Sequence, residues 1–154
     1  MPYVYWHGPC YIFVSEVTHN MKVYVASHEK YALGTVEALN LLTGRSVEIT
    51  PICAYDQNLP DEDTVEEIFA STVDLSVGEN EKIVIFTDLI GGSVTNAAIK
   101  YMQRDKRIHV VAGFNLPLLL EFVLACEKGL SVEDAIKKSS IAGKNGIVYV
   151  NELY

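Results

Sequence analysis

The chain has 154 residues, enough for one domain that buries a core of its own. With 49% hydrophobic and 21% charged residues, its composition is that of a folded globular protein and excludes a disordered one. Twelve basic residues against 20 acidic ones give a net charge of −8, with no run of Lys or Arg, which argues against nucleic acid or an anionic membrane as the main partner.

The first 20 residues, MPYVYWHGPCYIFVSEVTHN, are aromatic-rich but broken by Gly8-Pro9. They lack a basic start and make a poor signal peptide. A second methionine, Met21, opens a more conventional strand, so residues 1–20 read as an N-terminal extension: a translated leader, a vector-derived stretch or an added edge strand. His7 and His19 are therefore set aside. No stretch reaches the ~18 uninterrupted apolar residues of a membrane span. Cys10, Cys53 and Cys126 lie far apart with no metal-ligand spacing, as expected of reduced, mostly buried thiols in a cytoplasmic protein.

From Met21 to Tyr154 strand-like and helix-like segments alternate as one domain. Lys22–Ser27 is a strand, and Lys30–Leu42 repeats apolar residues at a helical period until Thr43-Gly44 closes it. Ser46–Ala54 is a second strand. Asp61–Val77 opens with acidic residues suited to a helix N-terminus. Lys82–Thr87, KIVIFT, is a near-continuous apolar run of the kind found in a central parallel strand. A helix starts directly after Asp88-Leu89-Ile90-Gly91-Gly92. Arg107–Ala112 is a fourth strand. Asn115–Lys128 is a very apolar helix with Asn115 as N-cap and Pro117 in its first turn. Ser131 and Asp134 start a last helix running to about Ala142, and Ile147–Val150 reads as a fifth strand. This alternation predicts an α/β fold with a single open, doubly wound parallel sheet.

In such a sheet, ligands bind beyond the carboxyl ends of the strands, where the strand order reverses. His28 follows the first strand and Asp88 the third. If the two strands are neighbours, a carboxylate accepting the Nδ1–H bond fixes the tautomer and leaves Nε2 as a nucleophile. Gly91-Gly92 permits a tight turn, the helix after it offers unpaired N–H groups, and Ser93, Thr95 and Asn96 are candidate side-chain donors. A phosphoryl group is the natural occupant. Taken singly, each piece has a purely structural explanation: a surface histidine, an aspartate capping a helix, a tight βα turn. The sequence is neither a Walker loop nor GxGxxG. It is the conjunction that points to chemistry.

VASHEKYALG, IVIFTDLIGGSVTNAA and VVAGFNLPLLLE, with the spacing among them, resemble the IIA component of the mannose family of the bacterial sugar phosphotransferase system, over Met21 to about Val150. The resemblance implies a phosphocarrier that requires no cofactor or metal. The family's histidine takes a phosphoryl group from the phosphohistidine of the carrier protein HPr. It passes that group to a IIB component, which phosphorylates sugar entering through the membrane-embedded IIC and IID partners. His28 would be the phosphorylated histidine and Asp88 its hydrogen-bonding partner. Gly91, Gly92 and Ser93 would form the phosphate cradle. The family's homodimer exchanges a C-terminal strand, here Ile147–Val150, antiparallel to the rest. Two positions depart from the pattern: Glu29 stands where glycine is frequent, and Val94-Thr95 where a Pro-aromatic pair is frequent. A carboxylate at position 29, turned to solvent, would cost the incoming anion about 1 kcal/mol or less.

Such a nucleophile is expected in a shallow, partly exposed depression, with Tyr31, Leu89, Ile90, Phe114 and Leu116 as candidates for an apolar docking rim. Three other readings compete. One is the phosphocarrier subunit of the phosphotransferase-dependent dihydroxyacetone kinase, from which the GGS after Asp88 differs. Another is a regulatory, non-transport form of the same domain. The last is a nucleotide- or flavin-binding protein of flavodoxin-like fold, which rests on fold analogy alone.

Overall fold

A computed structural model describes residues 21–56 and 64–153. The N-terminal extension and the acidic opening of the second predicted helix, Asp61 to Asp63, lie outside the described residues. Four strands form the sheet: β1 (Met21–His28), β2 (Ile49–Ala54), β3 (Lys82–Thr87) and β4 (Ile108–Ala112). All neighbours pair in parallel, in the order β2-β1-β3-β4. The helices are α1 (Tyr31–Thr43), α2 (Val65–Thr72), α3 (Ser93–Arg104), α4 (Leu116–Glu127) and α5 (Val132–Asn145). From β1 the chain winds first to β2 on one side and then crosses to β3 on the other. The order therefore reverses between β1 and β3.

The strand residues alternate between two cores. Val23 and Val25 of β1 and Val84 and Phe86 of β3 pack under α1, α4 and α5 with Ala32, Leu39, Phe122 and Ala135. Tyr24, Ala26, Ile83 and Ile85 face the other way, against Val65 and Phe69 of α2 and Val94, Ala97 and Ala98 of α3. Both faces of the two central strands are thus covered, which is why KIVIFT reads as an unbroken apolar run. Pro51 is tolerated in β2 because that strand is an edge.

Two boundaries and one whole element depart most from the sequence reading. The second helix ends at Thr72 rather than Val77 because the following segment is held in another shape. Asp74 donates its N–H to the Tyr24 hydroxyl at 2.9 Å, and Arg107 Nη1 donates to the carbonyl oxygens of Val77 and Gly78 at 2.8 and 3.0 Å. Strand β2 starts at Ile49, the first residue after a left-handed Arg45 that has a ladder partner on β1. The expected fifth strand is not in the sheet. Residues 147–149 are irregular and Val150–Glu152 form a 3₁₀ turn, with Ile147 80% and Tyr149 66% exposed. A β-branched run becomes a strand only where it pairs with an edge, and this one pairs with neither β2 nor β4.

Helix starts follow their capping chemistry. Asn115 Oδ1 accepts from Leu118 N–H at 3.0 Å, and Ser131 Oγ from Asp134 N–H at 3.1 Å. Thr64 and Glu67 form a reciprocal capping box at α2. Helices α4 and α5 approach so closely that a Cβ on Gly143 would lie 2.8 Å from Leu118 Cβ and 3.2 Å from Asn115 Oδ1. Alanine at a helical glycine ordinarily gains about 1 kcal/mol, but here the added carbon meets the stem of a side chain rather than its flexible end. Gly143→Ala is expected to destabilise the fold by about 1–2 kcal/mol net, read as a lower urea midpoint with an unchanged slope.

Candidate functional site

The site grows out of the reversal between β1 and β3. At the end of β1, Ser27 is fully buried, and its Oγ accepts the Ala32 N–H at 2.6 Å while donating to the His28 carbonyl at 3.1 Å. That pair of bonds fastens the first turn of α1 to the strand end and turns the next residue outward. His28 emerges there with 41% of its side chain exposed.

Register Ala26↔Thr87 brings Asp88 alongside. Strand β3 stops at Thr87, and Asp88 Oδ2 accepts the His28 backbone N–H at 2.8 Å. The same oxygen lies 2.8 Å from His28 Nδ1, and Oδ1 accepts the Leu89 N–H at 2.8 Å. Burial by itself pushes the Asp88 carboxyl up. The bonds from the His28 amide and ring, the ring's charge and the Leu89 amide outweigh it and hold the group below its ordinary value. A carboxylate kept ionised beside Nδ1 selects the Nδ1–H tautomer, and Nε2 carries the lone pair.

Nε2 faces the turn that begins α3. Gly91 has φ 81°, a left-handed conformation that favours glycine. A Cβ on Gly92 would lie 3.1 Å from Leu89 O and 3.3 Å from His28 Cε1, tighter than ordinary contact, so a side chain there would push on the ring or the turn. Gly92 is the N-cap of α3 and no side chain caps that helix, which leaves its first amides for an anion. Ser93 Oγ lies 3.4 Å from Nε2. The structure thus brings together His28, Asp88, Gly91, Gly92 and Ser93.

Two other candidate donors are spent on the turn itself. Thr95 is 1% exposed, with its hydroxyl 2.7 Å from Leu89 O and 2.8 Å from Thr87 Oγ1. Asn96 Nδ2 donates to Gly91 O at 3.4 Å. The expected rim also divides. Tyr31, Leu89 and Ile90 are exposed, Leu116 is half-buried, and Phe114 belongs to the core, stacked on Tyr31 with ring centroids 4.8 Å apart.

One neighbour escapes the sequence reading altogether. Tyr55 follows β2, stacks on His28 with ring centroids 5.6 Å apart and planes at 16°, and donates to Ser93 Oγ at 3.0 Å. The signal for it was available, because any residue just past the end of a strand neighbouring β1 faces the same crevice. Among the described residues no group of three or more His, Cys, Asp or Glu is placed to hold a metal ion. Burial, and then Glu127, pushes the Cys126 thiol up to about 12, and burial is also the main cause of the raised Cys53 value. Neither is a reactive thiol.

A family model described as the PTS system fructose IIA component, EIIA-man, matches residues 22–140. The chain belongs to this family. It is a IIA component of the mannose/fructose type of the phosphotransferase system, and every residue of the site falls inside the matched span. A Bacillus subtilis (strain 168) protein named PTS system fructose-specific EIIA component is 35% identical over 60 residues, 39% of this IIA chain and 40% of that protein. Among solved structures, the PTS IIA protein associated with the fucose utilization operon of Streptococcus pneumoniae is 26% identical. It superposes with a TM-score of 0.68 over 87% of this chain and 96% of its own. The phosphotransferase system component EIIA of Streptococcus agalactiae shares the fold, with a TM-score of 0.69 and 23% identity over 86% and 98% of the two chains. No helix of the described residues is long and apolar enough to cross a membrane.

The Asp88 contacts give this IIA chain a pH signature. A carboxyl held below its ordinary value of 3.8 stabilises the fold fully above that value and loses its contribution as pH falls through the lowered one. Asp88→Asn is expected to cost about 1–2 kcal/mol at pH 5, as loss of charge-assisted hydrogen bonds. In urea titrations the gap to wild type should close as the pH is taken down to 3 and below.

Proposed function

We propose that this chain is the phosphocarrier of a mannose-family phosphotransferase system. It accepts a phosphoryl group from phospho-HPr on His28 Nε2 and passes it to a IIB component, which serves sugar uptake through the membrane IIC and IID partners. The observation that carries the reading is the 2.8 Å contact of Asp88 Oδ2 with His28 Nδ1, on a ring whose other nitrogen faces the Gly92-Ser93 turn. Family membership supports it independently.

The chemistry is in-line displacement. The Nε2 lone pair attacks phosphorus, the P–N bond to the donor histidine breaks, and the donor ring leaves with that electron pair. The His28 ring gains formal positive charge as the new P–N bond forms, and the Asp88 carboxylate at its Nδ1–H offsets it. The phosphoryl oxygens receive donors from the uncapped start of α3 and from Ser93. Passage to IIB is the same displacement in reverse. Positioning and charge stabilisation supply the catalysis, with no bond made to a third group.

The working unit of this reading is residues 21–154, acting in the cytoplasm, with residues 1–20 as an extension. A homodimer that exchanges the 147–150 run is supported by the exposure of that run and by the half-buried residues of edge strand β4. Exposed Tyr31, Leu89 and Ile90 beside the histidine suit a docking partner.

Incubation with phosphoenolpyruvate, enzyme I and HPr should add one acid-labile phosphate per chain, and His28→Ala should abolish it. Gly92→Ala, which forces a carbon against the ring and the Leu89 carbonyl, should lower the labelling rate about tenfold or more, as for other small misplacements at a reacting centre. A wild-type chain that takes up no label rejects the reading. Transfer onward to a cognate IIB protein separates transport from a purely regulatory role.

A further inference from the structure

We propose that Tyr55 is a positioning residue for the nucleophile, acting through Ser93 to keep the His28 Nε2 lone pair aimed at the incoming phosphoryl group. This rests on the reading of His28 as the acceptor. Three observations carry it. Tyr55 has φ 63°, a left-handed conformation that residues other than glycine, asparagine and aspartate rarely adopt. Burial does not account for it, since the side chain is 52% exposed. That uncommon backbone coincides with a ring laid parallel to the imidazole and a hydroxyl 3.0 Å from Ser93 Oγ. Residues held in sparsely populated backbone regions cluster at active sites and ligand clamps.

The direction of the bonds gives the role. Tyr55 donates to Ser93 Oγ, so the Ser93 hydrogen is free to point at Nε2, 3.4 Å away. Nε2 accepts only if its proton is absent, which is the tautomer that Asp88 selects from the other side of the ring. Asp88 and the Tyr55-Ser93 pair therefore bias one equilibrium from two ends. When the phosphoryl group arrives, its oxygens replace Nε2 as acceptors of the Ser93 hydroxyl, and the Tyr55 bond keeps that hydroxyl a donor. Each bond in such a chain polarises the next. The position follows from topology, because β2 pairs with β1 so that Ala54 lies opposite His28 and the next residue overhangs the ring.

The test is a double-mutant cycle on the full chain, labelled by enzyme I, HPr and phosphoenolpyruvate. Tyr55→Phe keeps the ring and removes the hydroxyl. It should slow labelling about threefold to tenfold, the range of one neutral hydrogen bond, and should slow it no further in a Ser93→Ala background. Wild-type labelling by Tyr55→Phe, or equal slowing in both backgrounds, overturns the proposal. If the wild type itself takes up no phosphate, the phosphocarrier reading fails separately. The nitrogen-15 shifts of the unphosphorylated His28 ring then decide on Tyr55. A larger Nε2–H fraction in Tyr55→Phe sustains the positioning role, and unchanged shifts overturn it.

Discussion

A single carboxylate oxygen organises the carboxyl edge of this sheet. Asp88 Oδ2 takes the main-chain N–H of His28 and the contact with its ring Nδ1, each at 2.8 Å, so it fixes where β1 ends and how the imidazole is oriented. The N–H of His28 points toward β3, which has already ended at Thr87, while the N–H of Glu29 turns to β2 and finds Ala54 O at 2.7 Å. Without a carboxyl at position 88 the His28 amide would have no strand neighbour to receive it. The backbone requirement and the chemical requirement are met by the same atom. Hydrogen bonds to a charged group each contribute roughly 1.5–3 kcal/mol, enough to make the geometry of the ring a property of the fold.

Around that contact the site is built from main-chain shape. Gly92 has no Cβ to press on the ring, Gly91 supplies the left-handed turn, and Thr95 locks the turn from beneath through Leu89 O and Thr87. Among the described residues, two of the three non-glycine residues with positive φ, Glu29 and Tyr55, flank the histidine. Unfavourable backbone is concentrated where the ring is presented, as in sites whose geometry the surrounding fold over-determines. Glu29, which departs from the glycine frequent in the mannose-type pattern, sits in the conformation that a glycine would take without strain.

Most of the architecture was legible in the sequence because both faces of the central strands are buried and the starts of α2, α4 and α5 carry capping side chains. KIVIFT marks β3 to the residue, and Asn115 and Ser131 mark α4 and α5. The pairing of His28 with Asp88 was legible as a consequence of topology, since alternation implies a crevice and strand ends point into it. What escaped was set by contacts between distant parts of the chain. The 73–77 segment keeps enough helical pattern to mislead until Tyr24 and Arg107 are seen to hold it, and Thr95 looks like a ligand donor until its hydroxyl is found beneath the turn. Tyr55 was legible only as the residue just past the end of β2, since the left-handed backbone it adopts there has no signature at a tyrosine. The 147–150 run has strand composition but pairs with neither edge of the sheet.

The central claim is that Asp88 reserves Nδ1 of His28 for a hydrogen bond and leaves Nε2 to carry chemistry. The most direct measurement is nitrogen-15 and phosphorus-31 NMR of the phosphorylated chain with labelled histidine. Phosphorus coupled to Nε2, with Nδ1 still protonated, is the predicted result. Phosphate on Nδ1 would mean that the carboxylate does not hold that nitrogen, and it would contradict the account.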